Sequence, residues 1–339
     1  MSVSNARPLA IFTGYMLLAA GLTAKSIAII RGQRRVVSVS VSGSGSGSGS
    51  VARPTAPAVV ALAVFGLLAA VSLATTWYHM FRFFEWSYLE WAAAQPPSFR
   101  GGGGLRLGDW LRDTALFRQA WVSTLETGPR AWWSLQIFGF CANWSVLLAA
   151  QAQKRRIPHA WIFVLLGQVV AISFAANMSF LAILCSSSSN KPPTPTRASE
   201  DQKRKKPDDD SASSSVSSLS WHTVVLVVTL IWAILIPSAI DNPRFMSLLL
   251  GPHLLAFAPL LLNGVLPPRL LGEPGWFWKA ASMAWVLAVA TKGIAGAGAG
   301  EGLGGVLTTL YEHPAVSSVG WDVICCWVSS AAWFLIGAD

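Results

Sequence analysis

The chain has 339 residues, 53% of them hydrophobic and only 12% charged, with a formal net charge of +9 and a mean hydropathy of +0.49. Soluble domains carry about 25% charged residues, so this balance excludes an ordinary soluble domain and indicates an integral membrane protein. The positive charge is spread over loops, which fits a membrane surface and not a nucleic acid, and Cys141, Cys185, Cys325 and Cys326 lie in or at apolar runs, as thiols used as small hydrophobes do.

In chain order, residues 1–31 form an N-terminal unit whose apolar run, Leu9 to Ile30, is long enough to span a bilayer. It lacks a basic leading region and a clear small-residue cleavage site, so it reads as a retained helix. Residues 32–56 read as a flexible linker, with "SGSGSGSGS" from Ser42 to Ser50. Residues 57–185 form the first part of a membrane bundle. A second span covers about Ala58 to Phe84. An interfacial segment, 85–130, follows with "EWSYLEW", "GGGG" and "DWLRDTALFRQAW", and its Trp110, Leu111, Ala115 and Leu116 lie near Arg112 and Arg118 at helical spacings, as in an amphipathic helix. A third span covers about Ala131 to Ala150, and a fourth about Ala160 to Leu184. Residues 186–218 are rich in Pro, Ser and Lys and read as a disordered loop. The second part of the bundle, 219–339, holds spans at about Trp221 to Ile240, Phe245 to Leu266 and Trp276 to Ile294. A short helix near Val306 to Tyr311 precedes the last span, about Val316 to Ile336.

The predicted fold is therefore an all-α, polytopic membrane helix bundle of seven or eight transmembrane helices plus an interfacial amphipathic helix. Lipid cannot satisfy open backbone groups, and no barrel-type alternation is visible. Basic residues fall in loops on both sides, so they do not fix the orientation.

Motifs for cofactor or metal chemistry are missing. There is no phosphate-binding Walker loop, and His79, His159, His222, His253 and His313 are too scattered for a metal-binding pair. Asp208 to Asp210 read as a solvated charge run in the polar loop. No cofactor and no metal ion are expected. Asn143 and Asn177 match glycosylation acceptors but fall within predicted spans.

Ionisable groups inside or beside spans carry the chemical content, because a charge at a helix centre costs about 2.5–3.5 kcal/mol on insertion scales. Asp322 is the clearest case. Ser318, Cys326 and Ser329 share its helical face, which should point into the bundle. A poorly solvated carboxylic acid can keep its proton and then donate it; the alternative is an interhelical hydrogen bond without chemistry. Asp241 lies in "IPSAIDNPRF", between Pro237 and Pro243, with Asn242 and Arg244 beside it. That pattern suits either a site or a cap and turn. Glu312 and His313, just before Pro314, are an acid–base pair or an ordinary helix end. Glu85 follows "WYHMFRFF" as a site acid or an interface anchor. His253, Gln168, Asn177 and Asn263 are intramembrane polar groups that read as helix–helix bonding rather than as catalysts. Lys292 is placed to snorkel to the interface. Trp321 and other aromatics, if they face a cavity, would offer ring faces to a cation.

A greasy cavity holding a protonated acid between aromatic walls suits protonation of an alkene or epoxide and steering of the resulting carbocation. The blocks "LLGQVVAISFAANMSFLAIL" (Leu165 to Leu184), "DNPRFMSLLLGPHLLAFAPLLL" (Asp241 to Leu262) and "HPAVSSVGWDVICCWVSSAAW" (His313 to Trp333) resemble a fungal multi-pass family. That family is the membrane-bound terpene cyclases of the ascofuranone and macrophorin meroterpenoid pathways. The resemblance runs from about Asp109 to the C-terminus, apart from the 186–218 insert. It implies cyclisation of a farnesyl-type tail on an aromatic or epoxyquinol head, started by a proton delivered to the terminal alkene or epoxide. The implied partners are a lipophilic prenylated small molecule and membrane lipids, and the expected location is the endoplasmic reticulum membrane. Position alone nominates Asp322, Asp241 and Glu312 as catalytic acids, and His313, Asn242, His253, Trp321 and Glu85 as substrate contacts. Two other classes fit the same residues: a small-molecule transporter, whose relay would use Asp241, Lys292 and Asp322, and a noncatalytic membrane scaffold.

Overall fold

The fold is taken from a computed structural model. It describes residues 5–42, 56–96, 105–186, 220–271, 282, 284–289, 291 and 302–337. Among these residues every regular element is helical. The helices in chain order are α1 (Ala6–Ser42), α2 (Ala56–Ala93), α3 (Leu107–Asp113), α4 (Leu116–Leu125), α5 (Gly128–Arg155), α6 (Trp161–Val169), α7 (Ile172–Ser186) and α8 (Trp221–Leu235). A 3-10 turn at Pro237–Ala239 leads to α9 (Phe245–Leu255), α10 (Ala258–Val265) and α11 (Pro268–Leu271). Then come α12 (Gly302–Thr309) and α13 (Pro314–Ala332), whose last turn widens into a π-helix at Trp333–Gly337.

Four described helices are long and apolar enough to cross a membrane: Ala6–Arg34, Pro57–Ala93, Gly128–Arg155 and Pro314–Gly337. A fifth follows if α9 and α10, bent by 48° from one another, form one span. The apolar helices α7 and α8 are shorter. Against the seven or eight spans expected, the described residues thus hold four or five, the expected span at 160–184 being broken into α6 and α7 and that at 221–240 shortened to α8. Most of the run from Trp276 to Ile294, all of the expected 186–218 loop beyond Ser186, Asp208 to Asp210 and Lys292 lie outside the described residues.

Two expected boundaries move. α1 continues past Arg31 to Ser42, into residues that composition assigned to the linker. α2 runs on to Ala93, through "EWSYLEW", so the first part of the expected interfacial segment is the end of a long helix. The remainder of that segment forms the short helices α3 and α4. Trp110 of α3 is buried, and its indole donates to Ser87 Oγ of α2 at 3.2 Å.

Local chemistry fixes several ends. Thr127 caps α5 by accepting from the Arg130 N–H, and Pro129 occupies the first turn, where its missing donor costs nothing. At the other end Arg156 takes the left-handed conformation (φ 51°) that closes the helix. Ser220 caps α8 by accepting from Thr223 N–H at 3.2 Å. His313 caps α13 through Nδ1, 3.1 Å from the Ala315 N–H, with Pro314 next.

The packing core is formed by α2, α7 and α13, with α5 and α1 against them. Asn177 of α7 ties three of these helices together: its amide donates to Ser329 Oγ of α13 at 2.8 Å and to Ser72 Oγ of α2 at 3.3 Å. Trp133 of α5 holds α12 by donating to Thr309 Oγ at 3.1 Å.

Candidate functional site

The run from Leu165 to Leu184 is not one helix. It breaks between α6 and α7, at Val170 and Ala171. Neither Pro nor Gly stands at the break, so a tertiary cause is required, and two side chains supply it. The Asp322 carboxylate accepts from the Ile172 N–H at 3.0 Å and from the Ser173 N–H at 2.9 Å. In an unbroken helix those donors would bond the carbonyls of Gln168 and Val169. The Val169 carbonyl is instead taken by the Tyr15 hydroxyl of α1 at 2.8 Å. The ladder is thus opened from both sides: an acid takes the donors and a phenol takes an acceptor.

Asp322 belongs to the middle of α13 and is 6% exposed. It stands at the N-terminus of α7, where free N–H groups and the helix dipole favour negative charge. The expectation that its face points into the bundle holds in detail. Ser318 lines the same cavity, Cys326 is fully buried, and Ser329 is bound by Asn177.

The cavity beside Asp322 has a volume of about 150 Å³. Its polar rim includes Thr76, Cys141, Gln168, Thr229, His253 and Ser318; Trp121, Ile137 and Phe138 supply much of its apolar wall. Trp121 and Phe138 stack with centroids 5.5 Å apart and an interplanar angle of 12°. Both meet the His253 ring edge-on, at 5.5 and 5.6 Å. His253 Nδ1 is hydrogen-bonded to Gln168 Oε1. Gln168 Nε2 in turn donates to Cys141 Sγ at 3.3 Å. An amide oxygen only accepts, so His253 Nδ1 carries the proton and the neutral ring keeps its basic lone pair on Nε2.

Of the residues nominated from sequence, Asp322 and His253 come together at this cavity. The others lie elsewhere. Asp241 and Asn242 are exposed on the turn after the 3-10 segment, where Asn242 Oδ1 accepts from the Arg244 N–H at 2.8 Å. Glu312 is an exposed partner of Arg130 at 3.2 Å, and Arg130 also pairs with Glu126. Glu85 is exposed and pairs with Arg82 at 2.7 Å. His313 is buried as a helix cap, its ring edge-on to Trp86 at 4.3 Å. Burial, with Arg130 nearby, pushes its imidazole down to about 4. Trp321 stacks on His79 at 6.4 Å and is half-buried. Proline-bracketed turns and helix ends concentrate charged residues for local reasons, which is why these groups looked alike in sequence.

In sequence Gln168 reads as a helix–helix hydrogen-bonding group, and Cys141, Trp121 and Phe138 carry no sign of a site role. Gln168 carried a usable signal, being an amide within an apolar run. The aromatic pair carried none, since α4 and α5 meet only in the fold. Among the described residues, no three His, Cys, Asp or Glu side chains cluster as a metal site requires. Compared with protein families, curated proteins and solved structures, the chain matches none.

Proposed function

We propose that the protein is a membrane-bound terpene cyclase acting on a prenylated small molecule, with Asp322 as the proton donor. One observation carries this reading: a buried carboxyl group lines an aromatic-walled cavity inside the bundle while two backbone N–H groups hold its oxygens. Donation of its proton to a terminal alkene or epoxide leaves a carboxylate. The Ile172 and Ser173 N–H groups and the α7 N-terminus are already in place for that charge, so little reorganisation accompanies the transfer. The cation formed on the substrate would meet the ring faces of Trp121 and Phe138 in a site shielded from water.

At about 150 Å³ the cavity is smaller than the roughly 300–1,000 Å³ of typical small-molecule sites. In this reading it receives the reacting end of the tail, and the rest of the prenyl chain lies outside it. Asp241, Asn242, Glu312, Glu85 and His313 then serve the turn, ion pairs and cap in which they stand. A lipid-soluble substrate would enter from the bilayer, and the endoplasmic reticulum is the membrane we assign. No cofactor or metal ion is invoked.

Small-molecule transport is the second reading. It is favoured by the α6/α7 break and the α9/α10 bend beside Pro252 and His253, since discontinuous helices around an intramembrane polar cavity form many transporter sites.

The test is a microsomal assay. The full chain is expressed in yeast, supplied with a farnesylated quinol or its terminal epoxide, and the products are separated by chromatography and mass spectrometry. An isomer of unchanged mass is expected. Asp322→Asn, matched for membrane abundance, should lower its formation by about 10²–10⁴-fold, the usual contribution of a general acid. Full product from that variant would reject Asp322 as donor. No isomer from either substrate would reject the cyclase reading in favour of transport.

A further inference from the structure

We infer that His253 is the base that ends the reaction, taking the final proton on Nε2. This inference rests on the cyclase reading and adds a second catalytic group to the same cavity. A proton-initiated cyclisation yields an isomer only if one proton leaves for each that enters. The group that accepts it must lie in the cavity, be unprotonated at the time, and keep water from competing.

The geometry around His253 meets these needs. The ring lines the cavity that Asp322 lines. Gln168 links the ring to Cys141: its Nε2 donates to Cys141 Sγ and its Oε1 accepts from His253 Nδ1. The lone pair therefore resides on Nε2, for which no protein partner occurs among the described residues. The stacked Trp121 and Phe138 rings together pack edge-on against one side of the imidazole. Pro252, next in sequence, lines the same cavity and lies within α9. A helix-breaking residue beside an oriented imidazole has a purpose if the ring must reach inward at that level.

The protons and electrons balance. Asp322 gives its proton to the terminal alkene, a C–H bond forms, and a tertiary cation and a carboxylate result. Neighbouring alkenes attack in turn, each forming a C–C bond and moving the cation along the chain. His253 Nε2 then takes a proton from the carbon beside the last cation; that C–H bond breaks and its electron pair becomes a new C=C bond. Return of the proton from the imidazolium to the Asp322 carboxylate restores both groups. With the epoxide, the first step forms an O–H bond and breaks a C–O bond, and the rest is unchanged.

The experiment uses the full chain in microsomes with the farnesylated quinol. Wild type should give one dominant isomer. His253→Ala and His253→Asn should still consume substrate but distribute it among double-bond isomers and an adduct heavier by one water, with the wild-type isomer reduced at least about tenfold. Gln168→Leu keeps the imidazole but removes its orientation, and should shift the product ratio in the same direction by a smaller factor. A histidine that only packs would lower total turnover without changing the product ratio. An unchanged ratio in whichever His253 variant reaches the membrane therefore overturns the inference and leaves the cyclase reading standing. No cyclised product from wild type would overturn both.

Discussion

Removing the carboxylate that holds the α6/α7 break should destabilise the bundle in a way that depends on Tyr15. Asp322→Ala strips both acceptors from the Ile172 and Ser173 N–H groups, which lie in a buried segment. Each buried unsatisfied donor costs about 1–3 kcal/mol, so the variant should lose about 2–6 kcal/mol. Asp322→Asn keeps one acceptor and turns an NH2 group toward the other N–H, so its cost should be about half as large. The freed donors have one alternative, which is to close the helix onto the carbonyls of Gln168 and Val169. Tyr15 competes for the second of these by donating to the Val169 oxygen. Tyr15→Phe should therefore cost about 1 kcal/mol alone yet recover part of the loss when combined with Asp322→Ala. The double variant should be less destabilised than the sum of the singles, by about 0.5–3 kcal/mol. Thermal unfolding in detergent, followed by tryptophan fluorescence, gives the stabilities; hydrogen exchange over residues 165–180 reports the break itself. If Asp322→Ala unfolds like wild type with unchanged exchange there, or if the two substitutions add, the two-sided opening of the ladder is refuted.

Two further outcomes follow from single contacts. His313 accepts the Ala315 N–H through Nδ1, and burial followed by the Arg130 charge pushes its imidazole down to about 4. A histidine that resists protonation when folded binds its proton more readily when unfolded, where its value is about 6.5. Stability is therefore full above about pH 6.5 and falls as pH drops toward 4; His313→Asn keeps a capping oxygen and should flatten that slope in thermal scans from pH 7 to 4. Gly320 faces Leu310 and Trp133, and a Cβ there would press into the Leu310 side chain and lie 3.3 Å from the indole. Gly320→Ala should cost about 1–3 kcal/mol by overpacking, and an unchanged unfolding temperature would show that Leu310 simply moves aside.

The helical architecture was legible because long apolar runs admit few structures when lipid is the solvent. Thr127 before α5, Ser220 before α8 and Pro314 at the start of α13 fix helix starts through their nearest neighbours, and the expected third and last spans began a few residues after the true starts of α5 and α13. The end of α2 was misplaced because charged residues after Phe84 suggested an interface, whereas Trp91 and Ser87 pack against α3 and the helix continues to Ala93. Asp322 stood out for its cost in an apolar run. Asp241, Glu312 and Glu85 stood out less, since a turn, a helix end or an interface accounted for them as well, and each is held by a turn or a neighbouring arginine.

Sequence by itself determined that this chain is a bundle of apolar helices and that Asp322 needs a partner inside it, because both follow from the free energy of placing side chains in lipid. The tertiary structure decided what that partner is. Ile172 and Ser173 lie in a largely apolar run with no Pro or Gly at the break, and only an acid from α13 and a tyrosine from α1, brought near by packing, turn their backbone groups into a break that holds the Asp322 carboxyl group. It also decided that His253, Gln168 and Cys141 form one oriented chain, since hydrogen bonds between residues far apart in sequence leave no periodic pattern for the sequence to display.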